Sequence, residues 1–266
     1  MPFPDYPRYR YQKHTLQNVI CQLRFPTILR IGSEPPSDFQ DKVREQFPLY
    51  SEIRQTLTEI ELPEPLARLV REQMSLSSGP VAHQFRSADK RWLVSLANGA
   101  LSLTDSAYTR WEEFRDHLEG PLLGLEGIYH PAFYDRIGLR YQNLIRRSEL
   151  GLSGVEWREL LQPHIAGEFS QPEVASEIEQ AARQVVIDLA ADQGKVQIQH
   201  GLVRPAAVAN SEIEVCFGID ADFYRQERSE VQDARKVLDS LNKRARSVFR
   251  WCITERLHAA MEPKSL

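Results

Sequence analysis

"YDRIGLRYQNLIRR" (residues 134–147) reads as a β-strand, and "NVICQLRFP" (18–26) says nearly the same thing earlier in the chain. Each stretch places an isoleucine ahead of a Leu-Arg-aromatic string: Ile20 before Leu23-Arg24-Phe25, and Ile137 before Leu139-Arg140-Tyr141. In the earlier copy Val19, Cys21, Leu23 and Phe25 alternate with Ile20, Gln22 and Arg24, the period-two signature of a half-buried strand. Working outward from the two copies decides the expected fold.

After the first strand, Pro26 and "GSEPPS" break the chain, and Ser37 is placed to cap a helix with Phe39, Val43 and Phe47 on one face. Residues 51–80 carry short helical pieces punctuated by Pro63, Pro65 and "SSGP". A meander follows: "AHQF", the turn "SADK", "RWLVSLA", then Asn98-Gly99 into "ALSLTD". Asn-Gly between strand-like runs predicts a two-residue type I′ hairpin. Asp105 or Ser106 then caps a helix over "AYTRWEEFRDHLEG", ended by Gly120-Pro121.

The second copy meets the same order. A short helix "GVEWRELL" precedes "QVVIDLA", "KVQIQHGLV" and "EIEVCFGIDAD", the first two joined through "ADQGK" as a hairpin. One long amphipathic helix from about Ser229 to His258 closes the chain. Leu23 precedes Trp111 by 88 positions, and Leu139 precedes Val231 by 92. The expected fold is α+β: two related halves of strand, helix, three strands and helix, a mostly antiparallel sheet gripped by helices. The expected division is an irregular arm at 1–13, a first half at 14–132 and a second at 133–266.

The 266 residues carry a net charge of −4 and a pI near 6.0, which disfavours a DNA-coating or polybasic membrane protein. Cys21, Cys216 and Cys252 form no C-x-x-C pair, which fits a reducing cytoplasm. No secretory h-region and no apolar run of ~20 residues appears, so a cytoplasmic protein with no membrane association is expected. No cofactor or metal is implied: there is no phosphate or dinucleotide loop, and the seven histidines form no H-x-H or H-E-x-x-H pair. Asp220 and Asp222 would share a strand face, a weak cation motif best read as the polar end of a strand.

Arginine in mid-strand is the feature that needs a reason. Arg24 and Arg140 oppose the apolar alternation of their strands, with Gln22, Gln142, Gln197, Gln199, Glu212 and Glu214 at similar positions. Two readings follow. Either this is a solvated face with cross-strand pairs such as Arg140–Glu214, or a surface that recognises a carboxylate, phosphate or partner loop through arginine. A second basic feature lies on the closing helix, where Lys236, Lys243 and Arg250 recur every seven residues with Arg246 alongside; Asp239 stands four before Lys243 for an intrahelical pair. The arm interleaves Tyr6, Tyr9 and Tyr11 with Arg8, Arg10 and Lys13, a pattern that suits single-stranded nucleic acid or a neighbouring subunit.

"NVICQLRFPTILRI", "FQDKVREQFPLYSE", the 134–145 strand and "LDSLNKRARSVFRWCITERLHAAMEP" together resemble a family of uncharacterised, sporadically distributed bacterial proteins of about this length. The family's closing helix typically reads Leu-Asp-x-Leu-His, and Asn242 stands here in place of that histidine. The resemblance implies no activity, and implies an accessory, mobile-element or defence locus. The reading expected from the sequence is a non-catalytic binding or regulatory protein, acting with an unknown partner protein or small anion and able to form a homodimer. Nucleic-acid binding through Arg8, Arg10, Lys236, Lys243, Arg246 and Arg250 is the alternative. An enzyme whose site converges only in space, with Asp220, Asp222 or Glu214, is the third.

Overall fold

The structure, a computed structural model, describes residues 2–53, 81–189, 194–204 and 214–265. It is α+β with mostly antiparallel strands. In chain order the elements are β1 (Tyr9–Tyr11), β2 (Leu16–Arg24), α1 (Leu29–Ser33), α2 (Ser37–Val43), β3 (Leu49–Ile53), β4 (Ala82–Arg86), β5 (Trp92–Ala97), β6 (Ala100–Asp105) and α3 (Trp111–Tyr129). There follow β7 (Arg136–Ile145), α4 (Trp157–Leu160), α5 (Pro163–Ala166), α6 (Pro172–Ala175), β8 (Ala182–Asp188), β9 (Lys195–Val203), β10 (Cys216–Arg225), α7 (Ala234–Cys252), α8 (Glu255–Ala260) and β11 (Pro263–Ser265). Of the stretch 51–80 expected to carry short helical pieces, residues 54–80 lie outside the described residues, while Ser51–Ile53 belong to strand β3. Residues 191–193 of the expected turn "ADQGK" and Glu212 also lie outside them.

The chain separates into two compact units that do not follow the sequence halves. One comprises Met1–Leu16, Tyr141–Asp222 and Lys243–Leu266; the other comprises Gln17–Arg140 and Phe223–Asn242. Strands β7 and β10 and helix α7 each contribute residues to both units.

In the Gln17–Arg140 unit, alternation works as the pattern demands. Val19, Cys21 and Leu23 are fully buried, and Phe85, Val94, Leu96, Leu101 and Leu103 join them from β4, β5 and β6. The strands hydrogen-bond in the order β3-β4-β5-β6-β2. Helix α3 lays Phe114, Leu118, Leu122 and Leu125 on this core. It runs straight through Gly120-Pro121, where the sequence had it stop. Pro121 is itself buried, and the apolar face continues past it at three- and four-residue spacing; burial outweighs the lost backbone bond. Phe39 of α2 packs against Gly124, where an added Cβ would stand 3.1 Å from the ring.

Neither expected side-chain cap forms. Pro36 occupies the N-cap of α2 and Arg110 that of α3. Asp105 instead accepts from Arg91 and from the Ala107 backbone N–H. The 97–100 hairpin has the expected two-residue loop, but Asn98 does not adopt the positive φ of a type I′ turn. Its carbonyl accepts from Ile28 N–H and that of Gly99 from Phe25 N–H, which fixes the turn against the end of β2.

In the other unit β8, β9 and β10 are the three expected strands, with β8 and β9 antiparallel from Asp188↔Lys195 to Ala182↔Gly201. The closing helix is not continuous. A 3-10 turn at Val231–Asp233 leads into α7, which ends at Cys252 because Ile253 bridges Leu161 and Thr254 N–H bonds Leu160 O. Thr254 then caps α8 by accepting from Leu257 N–H. The arm is less irregular than expected, since Tyr9–Tyr11 pairs antiparallel with Pro263–Ser265. Pro2, Pro4 and Pro7, which make the arm read as irregular, all precede Tyr9.

Counted by halves, the hydrogen-bonded order is β2-β6-β5-β4-β3 in the first and β7-β10-β9-β8 in the second. Each half therefore runs its opening strand beside the last of its three-stranded meander and then through that meander in reverse; β3 is an added strand in the first half.

Candidate functional site

The face of the β3-β4-β5-β6-β2 sheet opposite the core mixes small and polar side chains with aliphatic ones, of which Leu49 and Ile53 are exposed. Cross-strand register sets Ser51, Gln84, Ser95, Ser102 and Gln22 side by side as one row. The next row is Ile53, Ala82, Ala97, Ala100 and Arg24. Arg24 thus shares its row with three alanines, Ala100 being its direct neighbour. It is half-buried; its carbonyl accepts from Asp135 N–H at 2.9 Å, and its guanidinium makes no hydrogen bond or ion pair among the described residues. Gln22 accepts instead from Arg136 Nη1 at 3.3 Å, and the Arg136 guanidinium lies 4.8 Å from the Tyr224 ring centroid. Burial pushes the Cys21 thiol far up on the opposite face, outweighing the nearby Arg136 charge. That cysteine is a core residue with no nucleophilic character.

The expected mosaic on the remaining strands is redistributed. Arg140 is half-buried in β7, but its expected partner Glu214 precedes β10 and accepts from the Ser148 backbone N–H at 3.0 Å and from the Ser148 hydroxyl. Glu214 thus holds the turn after β7. Gln142 donates to Asp220 at 3.2 Å. Gln197 and Gln199 are only 5% and 4% exposed, because β9 is covered on both faces; Gln199 pairs with Gln184 at 2.9 Å. Among the described residues no group of three His, Cys, Asp or Glu side chains is arranged to hold a metal.

The basic stripe breaks at its last member. Lys236, Lys243 and Arg246 are exposed, but Arg250 is 7% exposed, donates to Ile253 O at 3.1 Å and pairs with Glu255. Asp239 turns to Trp111 Nε1 at 2.7 Å and to Arg115. The arm is occupied within its own unit. Tyr9 and Tyr11 pack edge-on against His258, Tyr11 Oη bonds His258 Nδ1 at 2.8 Å, and Lys13 pairs with Glu262 at 2.7 Å. Burial carries the Tyr11 hydroxyl up to about 12. Arg10 is exposed and Arg8 half-buried. The stacking faces that a nucleic-acid arm needs are thus engaged by the C-terminal segment.

A further cluster gives no motif in the sequence. His200 and Arg183 face each other across β9 and β8, a register countable from the hairpin once its turn is placed. The Arg183 guanidinium pairs with Glu168 and lies over Gly167, where a Cβ would stand 2.7 Å from its Cζ. Gly167 has φ +53, which a side chain would also strain. His200 stacks on Phe217 and is held down to about 4 by burial, then by Arg183 and His164. No family model matches this chain, and no curated protein resembles it significantly.

Proposed function

We propose that this chain is a binding or regulatory protein that recognises an anionic group, on a partner protein or a small ligand, through the open sheet face around Arg24. The carrying observation is Arg24 itself: a permanently charged, half-buried guanidinium beside alanines, with no acceptor among the described residues. Gln22 and the serine row beside it supply neutral hydrogen-bonding groups. Arg140 on β7 extends the proposed surface. The family resemblance adds an accessory-locus setting, and three buried, unpaired thiols suit a reducing one. The common strand order of the halves supports an internal duplication as the origin of the fold. No helix among the described residues is long and apolar enough to cross a membrane.

Native mass spectrometry of the untagged full chain, gently purified from its own host, tests this reading. A co-purifying protein or anion is expected with wild type, and its loss with folded Arg24→Ala. A folded Arg24→Ala and Arg140→Ala double variant that keeps its occupant, or a wild-type chain that carries none, counts against the reading.

A further inference from the structure

Helix α7 carries a second unspent arginine. Arg244 is 9% exposed, and Ser247, one turn further on, is fully buried. Residues three apart on a helix are side-chain neighbours, with Cβ atoms roughly 5–6 Å apart. Nε and Nη1 of Arg244 and the Ser247 hydroxyl are all buried, and none has a hydrogen-bond partner among the described residues.

Three other buried or half-buried arginines of this fold are treated differently. Arg91 holds Asp105 and Glu113, Arg235 holds Glu119 and Glu126, and Arg250 holds Glu255 and a carbonyl. Only burial acts on Arg244, and it draws the guanidinium below its ordinary pKa with no anion to offset it. A buried charge without a counter-charge and a buried hydroxyl without a partner are both unfavourable. One turn apart on the same helix, they leave N–H and O–H donors with no acceptor among the described residues.

We propose that Arg244 and Ser247 form a binding site for a small oxyanion, with guanidinium N–H groups and the serine hydroxyl donating to its oxygens. Charge-assisted donors of this kind suit phosphate and carboxylate oxygens alike. Exposed Lys243, next in sequence, adds positive potential to the approach. Trp251 follows seven residues after Arg244 on the same side of the helix. Its indole stacks on His164 at 3.8 Å and meets Phe3 edge-on at 5.0 Å, so it is a fixed fluorophore near the site.

The test is calorimetric titration of the full chain with inorganic phosphate, sulfate and acetate in separate arms, at constant ionic strength set with chloride. Tryptophan fluorescence and thermal melting are followed in parallel. Saturable binding is expected in at least one arm, and the arm identifies tetrahedral oxyanion or carboxylate. Arg244→Met should abolish it, Ser247→Ala should weaken it by about tenfold through loss of one hydrogen bond, and Arg246→Ala on the exposed side should leave it unchanged. In anion-free buffer Arg244→Met should melt no lower than wild type, since replacing an unpaired buried charge by an apolar side chain of similar length is neutral or favourable. The proposal is overturned by no saturable binding in any arm, or by binding that survives in folded Arg244→Met. A large drop in melting temperature for Arg244→Met without anion also overturns it, because the guanidinium would then be satisfied within the protein or by water alone.

Discussion

His200 shows how a single side chain couples this fold to pH. It is 6% exposed, stacked on Phe217, and lies opposite Arg183, so the protonated ring would be both desolvated and repelled. The folded state holds its pKa at about 4 against 6.5 for the free side chain. The unfolded chain therefore binds the extra proton throughout that interval. The stability contribution is fully present above about pH 6.5 and is lost as pH falls towards 4. Over pH 7 to 5 the linkage amounts to about 2 kcal/mol, at 1.36 kcal/mol for each pH unit below the unfolded pKa. Urea unfolding at pH 7 and pH 5 should show wild type losing about that much more than His200→Phe, which keeps the ring stack and cannot protonate. Equal losses in both proteins would show that His200 is protonated without cost. His164 and His258 are also lowered by burial, so some slope should persist in the variant.

At the scale of elements, the β8–β9 hairpin depends on a glycine that strand periodicity does not mark. A Cβ on Gly201 would overlap the Ala181 carbonyl oxygen and stand 2.8 Å from the Ala181 carbonyl carbon and 2.9 Å from Ala182 Cα. All three are backbone atoms, which cannot rotate away. Leu202 N–H bonds that same carbonyl at 2.9 Å, so relief by movement would cost the end of the ladder. Gly201→Ala should destabilise by about 1–3 kcal/mol, as overpacking at a fixed backbone does, and should speed amide exchange in β8 before β2. Unchanged stability would mean that the start of β8 yields freely. The hairpin itself was legible from "QVVIDLA" and "KVQIQHGLV" because alternation and turn residues are local signals. The continuation of α3 through Pro121 and the break of the closing helix at Ile253 were not. Each is decided by a partner distant in sequence: the core beneath Leu122 and Leu125, and the Leu161 backbone. The site divides the same way. Arg24 could be found from alternation alone, whereas Arg136 on Gln22 and the loss of Glu214 to Ser148 depend on where strands begin and which neighbours they meet. Arg244 reads in sequence as one more helical cation, and only its burial separates it from Lys243.

For the whole molecule, the common strand order of the two halves and the composition of the compact units pull in different directions. A duplicated fold would be expected to fall apart at 132/133 into two autonomous pieces. The compact units instead exchange segments. The unit built on Gln17–Arg140 takes in Phe223–Asn242, where Arg235 grips Glu119 at 2.8 Å and Glu126 at 3.0 Å and Asp239 holds the Trp111 indole. The unit built on Tyr141–Asp222 takes in Met1–Leu16, whose β1 pairs with β11 and whose Thr15 hydroxyl donates to Asn143 at 3.0 Å. Neither sequence half contains a complete unit. Fragments 14–132 and 133–266, expressed separately, should each lack a cooperative thermal transition and be digested rapidly by protease. Mixed, they should regain a common transition, limited only by the missing arm. A cooperative melt of either fragment alone would show that this half folds without the segments the other supplies. Failure of both alone, with recovery on mixing, would show that each compact unit needs segments from both sequence halves, as its composition implies.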